Sequence, residues 1–458
     1  MQPDFSNTAR AFAHLSDREL RRALLLFRAV GSPAAVKAGK HLLRLALALR
    51  LPVAWALRPT VFNHFCGGET IAESEATVAR LARGGVHTIL DYSAEGKYAE
   101  PDLDAARDEV LAVIRATAGD ERHAFAVFKV SALAPAALLE GVGRGDEIEI
   151  EIEIEDEVGV EIEIEIEDEV GVGVEGEGEG EVGVEVEVEV EVGDEVGDGD
   201  EVEDVVGGEG REGRGLSAED QAAWERVEGR VTALCRAAAE AGKRIMIDAE
   251  ESWIQPAIDR LAEGAMAAFN RERPVVFTTV QMYRHDRLAY LEALGARADA
   301  AGFQVGVKLV RGAYMEKERA RAAAQGYPDP IQPDKAATDR DYDAALQWCI
   351  GRIDRTAVVA GSHNEASNAL LCSLMADAGL APSDPRVAFA QLLGMSDTIS
   401  FNLAADGFQV AKYVPYGPLL EAIPYLLRRA EENTSVAGQS SRELHLLRLE
   451  HRRRSSVR

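Results

Sequence analysis

Short runs of apolar and β-branched residues alternate along this chain with longer stretches whose apolar positions recur at helical spacing. The runs are VHTIL (86–90), FAVFKV (125–130), RIMID (244–248), VVFTTV (275–280), VGVKLV (305–310), AVVAGS (357–362), RVAFAQ (386–391) and FQVAKYV (408–414). Each is followed by a helical pattern, such as QAAWERVEGRVTALCRAAAEAG after the second. Strands separated by helices pair in parallel, and eight of them predict an α/β fold closed as a (β/α)8 TIM-like barrel. Polar residues recur at the C-terminal ends of these runs: Lys129, Asp248, Gln281, Lys308, Arg311, His363, Gln391 and Tyr413. That is the face on which barrel enzymes carry their sites.

One segment breaks the alternation. Residues 146–204 contain a direct repeat, EIEIEIEDEVGV, at 149–160 and 161–172, followed by GEGEGEVGVEVEVEVEVG. Strict alternation would line glutamates along one strand face, where like charges repel. The segment reads as an acidic low-complexity insertion, disordered or weakly β-forming, between the second strand and its helix. Gly171, Gly173 and Gly176 fit the spacing of a dinucleotide fingerprint, but no helical pattern follows and the flanking glutamates would repel a pyrophosphate. The expected organisation is therefore an N-terminal helical region (1–60), a barrel (61–145 and 205–445), the insertion (146–204) and a basic tail (446–458).

Composition changes this picture in one respect. The 458 residues carry a net charge of -29, with 79 acids against 50 bases. The insertion alone holds 29 acids and no base, so the remaining 50 acids balance the 50 bases. The acidity is local and says nothing about a site, and no nucleic-acid partner is expected. Hydrophobic residues make up 47%, normal for a globular domain with a sizeable core. Cys66, Cys235, Cys349 and Cys372 lie far apart without zinc spacing, which argues for a reducing, cytoplasmic setting and against a metal site. No apolar run reaches the roughly 18 residues of a membrane span, and Asp4, Asp17 and Glu19 interrupt any signal-peptide plan. Residues 20–58 contain Arg and Lys but no acid. Their LLRLALALRLPVAWALR stretch reads either as a basic amphipathic helix that touches an anionic membrane surface or as a helix packed on the main domain.

The stretch YVPYGPLLEAIPYLLRRAEENTS (413–435) holds the most chemistry. Read as one helix, it pairs Tyr425 with Arg429 and Arg428 with Glu432 at four-residue spacing, with Tyr413 at its start. Adjacent arginines on an apolar segment suit a carboxylate, to which guanidinium groups bond in bidentate fashion. The competing reading is a surface helix with snorkelling arginines.

With these residues in view, the chain closely resembles the proline dehydrogenase family of flavoenzymes, and within it the stand-alone bacterial branch. The resemblance rests on FCGGET (65–70), FKVSAL (128–133), IDAEESW (247–253), QMYRHDRL (281–288), KLVRGAYMEKER (308–319), TDRDYDAAL (338–346), SHNEAS (362–367), QLLGMSD (391–397) and the 413–435 stretch, in family order. It implies a barrel that holds FAD and oxidises L-proline to Δ1-pyrroline-5-carboxylate by hydride transfer, with electrons passed to a quinone at the inner face of the cell membrane. It implies carboxylate binding by Arg428 and Arg429, a pocket completed by Lys129, Tyr425 and Glu432, and Tyr413 against the substrate ring. Lys129 and Asp248 are the implied catalytic residues, Asp248 as brace of the polar network. Gln281, Lys308, Arg311, Gly312, Ala313, Tyr314, Ser362, His363, Asn364 and Gln391 are the implied cofactor cradle.

Many members of that family read RLVKGAY where this chain reads KLVRGAY, which leaves open whether Lys308 or Arg311 approaches the flavin N5 region. Lys308 also reads as an inward barrel lysine paired with an acid, and His363 as a satisfied core histidine. Two other functions compete: an aldolase-like lyase using Lys129 or Lys308 as a Schiff-base nucleophile, and a cation-binding or interaction protein working through the acidic segment.

Overall fold

A computed structural model of the chain describes residues 3–49, 51–92, 99–144, 216–435 and 439–456. The acidic insertion lies outside the described residues. Eight strands, β1 (His87–Tyr92), β2 (His123–Lys129), β3 (Arg244–Asp248), β4 (Val276–Gln281), β5 (Val305–Val310), β6 (Thr356–Gly361), β7 (Val387–Leu392) and β8 (Val410–Tyr416), pair in sequence order. All pairs are parallel, and β8 closes on β1 in register from His87–Ala411 to Tyr92–Tyr416. Helices separate the strands, as the alternating pattern requires, so the predicted TIM-like barrel is observed.

Alternation along each strand sends one set of side chains into the lumen and the other toward the helices. The lumen is filled by Ile89, Phe125, Val127, Met246, Phe277, Val359 and Tyr413, with Phe125 and Phe277 edge to face at 5.3 Å. Each such side chain, fully buried, stabilises the barrel by about 1.5–3 kcal/mol.

The 413–435 stretch is not one helix. Tyr413–Tyr416 complete β8, and the helix begins only at Ile423. Pro415 and Pro418 cannot donate to a helical ladder, and Gly417 sits at φ 145°, a conformation few side chains adopt. Tyr413 and the two arginines therefore reach the barrel mouth from different elements.

The N-terminal region forms helices Thr8–Ala11, Asp17–Val30, Pro33–Ala48 and Ala54–Leu57 and a π-helical turn, Arg58–Phe62. Ser16 and Glu19 form a reciprocal capping box that starts the second helix. Its Leu20, Ala23 and Phe27 join Phe12 against Leu446 and Leu447 of the helix Gln439–Ser456. Arg454 locks this junction, donating to Phe12 O at 2.6 Å and Leu15 O at 2.8 Å. Residues 446–456, basic as expected, are thus docked helix. Leu25, Leu42, Leu45, Leu49, Leu51 and Trp55 remain exposed, Trp55 to 77%. No helix among the described residues is long and apolar enough to cross a membrane. All four cysteines are free and buried, and no metal-binding cluster occurs among the described residues.

Candidate active site

The strand ends deliver the sequence-predicted residues to one mouth of the barrel. At its centre, Lys308 of β5 reaches across the lumen to the Asp248 carboxylate at the end of β3. Its ammonium also donates to the Tyr413 hydroxyl of β8 at 2.7 Å, and that hydroxyl donates to Asp248 at 3.1 Å. Lys308 is therefore the inward lysine paired with an acid. Burial, and then the Asp248 and Asp91 carboxylates, raise the Tyr413 phenol well above its ordinary range, so it stays protonated and keeps its donor. Removing one member of such a buried pair costs about 3–5 kcal/mol, because the other charge is left uncompensated.

Arg311, three residues on, goes elsewhere. Its guanidinium binds Asp339 at 2.8 Å, Ser362 Oγ at 2.8 Å and Ser367 Oγ at 2.9 Å, and lies over the Tyr342 ring at 4.3 Å. It braces β5 to the element after β6. Gly312 follows at φ 130°, where a Cβ would meet the Tyr283 ring at 2.4 Å, so glycine is demanded by Tyr283. Gly312 and Ala313 are exposed at the rim. Asn364 caps the helix Glu365–Asp377 through its side chain, and Gln391 is engaged at both ends, by Ser362 O at 3.1 Å and Ser400 Oγ at 2.8 Å. Gln281 differs: its Oε1 is buried without a hydrogen-bond partner among the described residues. A buried acceptor left unmade is costly, and fits a site that receives a donor from a bound group.

The helix Ile423–Ser435 brings the arginine pair to this mouth. Tyr425 packs with Phe62, Phe65, Met395 and Leu419, and the Arg429 guanidinium lies 5.2 Å from its ring. Arg428 and Lys129 both act on the Tyr314 phenol, which burial raises first and these cations partly lower. Lys129 itself is paired in register with Asp248 across β2 and β3. Glu432 lies on this helix, with its side chain outside the described residues.

Two features escaped the sequence reading. Glu250, beside Lys129, is pushed up to about 7 by burial, against the opposing pull of Ser131 hydrogen bonds and Lys129. It accepts the Ser131 backbone N–H at 2.9 Å. Behind the lumen, Lys412 is wholly buried and pairs with Asp397 at 2.9 Å, and His14 Nε2 lies 3.4 Å from the other Asp397 oxygen. Asp397 stands in the QLLGMSD motif, and Lys412 in the strand run, so the only available signal was a lysine inside an apolar run.

His363 contacts Ser396 Oγ through Nδ1 at 2.9 Å. Burial first, and then the nearby cations Lys412, Arg429 and Arg311, lower it to about 3, so its ring is neutral. Ser396 itself adopts φ 53°, a left-handed conformation that costs about 1–3 kcal/mol in a residue other than glycine.

Known proteins resemble this chain in sequence and in fold. The proline dehydrogenase family profile matches residues 74–442. Human proline dehydrogenase 1, mitochondrial, is 43% identical over 242 residues, 52% of this chain and 40% of the human protein. A carbapenem antibiotics biosynthesis protein, CarD, of Pectobacterium carotovorum subsp. carotovorum is 32% identical over 391 residues, covering 85% of this chain and 83% of that protein. Among solved structures, proline utilization A from Bdellovibrio bacteriovorus superposes with a TM-score of 0.62 at 16% identity, over 91% of this chain and 37% of that one. At that identity the likeness is one of fold. The aligned region spans 34 to 40% of the human, Drosophila melanogaster and Caenorhabditis elegans relatives. The motifs occur in order, the barrel closes around them, and the profile runs through nearly all of it: the chain belongs to the proline dehydrogenase family.

Proposed function

We propose that this protein oxidises L-proline to Δ1-pyrroline-5-carboxylate, the first step of proline catabolism, with FAD as the cofactor. The observation that carries the reading is the Lys308–Asp248–Tyr413 network at the mouth, with Lys129 in register beside Asp248 and the arginine-bearing helix packed there through Tyr425 and Arg429. Arg428 and Arg429 bind the proline carboxylate by charge-assisted bonds. Lys129, Tyr425 and Glu432 complete the pocket, and Tyr413, its hydroxyl held by Lys308 and Asp248, presents its ring to the substrate. The apolar wall around Tyr425 excludes water, which strengthens each of these electrostatic contacts. The amine must be unprotonated before C5 gives up a hydride.

The buried Gln281 acceptor fits a cofactor with ring N–H donors, and Lys308, Arg311, Gly312, Ala313, Tyr314, Ser362, His363, Asn364 and Gln391 would hold it together with Gln281. FAD, when bound, supplies the two-electron acceptor that no side chain of the protein can provide. The decisive experiment is anaerobic titration with L-proline. Purified protein is expected to be yellow and to bleach. Protein that stays colourless after incubation with FAD contradicts the reading, and a borohydride-trapped adduct would favour the lyase instead.

Electrons then pass to a quinone, with the protein cytoplasmic and peripheral at the inner face of the cell membrane. Supporting this, the exposed Leu25, Leu42, Leu45, Leu49, Leu51 and Trp55 lie in or near a stretch, 20–58, that carries bases and no acid, complementary to an anionic bilayer. Flotation with anionic vesicles should carry the protein, and Leu45→Glu/Trp55→Glu should abolish it; flotation unchanged in that variant contradicts the contact. The segment 146–204 is, on this reading, an insertion carried by the barrel without a part in turnover.

A further inference from the structure

We propose that Lys412, on the outer face of β8, is a positioning residue that sets the His363 ring at the barrel mouth through the loop 392–396. The inference rests on the reading of that mouth as a flavin site.

Lys412 and Tyr413 are neighbours on one strand and so point to opposite faces. Tyr413 enters the lumen, while Lys412 turns outward into a region with no access to water. There its ammonium donates to Leu392 O at 3.2 Å and to Met395 O, and pairs with Asp397 at 2.9 Å. A third carbonyl of the same loop, Gly394 O, is bonded by His64 Nε2 at 2.9 Å. The loop is therefore gripped at three of its carbonyls. The grip explains how Ser396 persists in its left-handed conformation, which needs surroundings that over-determine it.

The output of this arrangement is one hydrogen bond, between Ser396 Oγ and His363 Nδ1 at 2.9 Å. A fixed hydroxyl at Nδ1 sets the tilt of the neutral imidazole, and because a hydroxyl both donates and accepts, it does so for either tautomer. Asp397 supplies the countercharge that makes burying Lys412 tolerable, and His14 holds the far oxygen of that carboxylate. Lys412 touches neither substrate nor cofactor; it acts by placing Ser396.

The test pairs two variants. Lys412→Met/Asp397→Asn removes both charges and avoids a lone buried one; Ser396→Ala removes only the hydroxyl. Both are compared with the unsubstituted protein by FAD binding (flavin fluorescence), the visible spectrum of bound flavin, KM and kcat for proline, thermal unfolding, and the imidazole 15N shifts of His363. Each variant should weaken FAD binding by roughly tenfold, the scale of one lost hydrogen bond, and move the His363 shifts, while KM for proline changes little. Combining them should add nothing further, because they act along one chain of contacts. Lowered thermal stability with FAD affinity, spectrum and His363 shifts unchanged would overturn the proposal, as would fully additive losses. If the double variant does not fold, Ser396→Ala alone decides, through its His363 shifts and FAD affinity. Absence of FAD binding by the unsubstituted protein would fall on the flavin reading; the His363 shifts in the variants would still decide the positioning role.

Discussion

Two buried lysine–aspartate pairs lie back to back on the barrel wall. Lys308 and Asp248 face the lumen and meet Tyr413, while Lys412 and Asp397 face the helices and meet His14. Their chemistry is the same, but their remaining partners differ. The outer ammonium spends its other donors on backbone carbonyls, groups that belong to the fold. The inner one ends on a phenol at the mouth, a group that can face a substrate. Charge burial alone therefore does not mark a catalytic group; what else the charged atoms touch does.

The largest effects should come from breaking either pair. Lys412→Met leaves Asp397 uncompensated and should cost about 3–5 kcal/mol in denaturant unfolding, largely recovered in Lys412→Met/Asp397→Asn. Lys308→Met should separate the two regions. It is expected to lower kcat/KM for proline by about a hundredfold, and Asp248→Asn in the same chain should not recover it, because the network it organises is part of the site. Recovery of turnover by the inner double variant would make both pairs structural.

The arginine pair is expected next. Arg428→Met or Arg429→Met should raise KM for proline more than tenfold while bound flavin is retained, a loss of about 2–5 kcal/mol for a charged contact. An unchanged KM in both variants would return the helix to a snorkelling surface role.

The Glu250 carboxyl provides a pH test of the inner region. Burial raises it from 4.5 to about 7, so the folded state binds its proton more tightly than the unfolded chain does. Its contribution is thus greatest below pH 4.5, is lost progressively as pH rises to about 7, and is flat beyond, for a total of roughly 3 kcal/mol. Unfolding free energies of the parent and of Glu250→Gln, measured from pH 4.5 to 8, should diverge with that slope. Parallel curves would show that Glu250 is ionised in the fold.

Smaller effects sharpen the role of Tyr413. Tyr413→Phe keeps the ring and removes the hydroxyl bonded to Lys308 and Asp248, which should cost about 1 kcal/mol of stability. Tyr413→Ser should narrow the preference for proline over trans-4-hydroxyproline; equal kcat/KM for both substrates in the parent enzyme would contradict a packing role. The smallest effect is expected from the acidic insertion. Replacing 146–204 with a short Gly/Ser linker should leave flavin content and proline turnover intact, since loop closure changes by only about 0.6 kcal/mol per doubling of length. A deletion that no longer folds at any linker length would make the segment integral.

The strands were readable because apolar, β-branched runs of this length leave little choice of element once helices lie between them. Their register with one another was not. Pairing places Lys129 beside Asp248, yet the Asp248 carboxylate goes to Lys308, two strands away, because β3 and β5 both send these residues inward. Arg311 looked equivalent to Lys308 in the motif, but it stands one residue past the strand end, at an odd offset from Lys308, and binds Asp339 instead. The 413–435 stretch misled through its helical spacing, while its prolines and Gly417 held the correct boundary.

Sequence by itself determined the barrel, the mouth at which the polar strand ends gather, and the family, since these depend on residue type and order along the chain. Tertiary structure alone decided which charges meet. Lys412, Asp397 and His14 come from three separate segments and carry no common spacing, so no periodicity could pair them. Whether a buried lysine serves the fold or the site depends on the direction of one side chain across a closed sheet, and strand alternation settles that only after the barrel has closed.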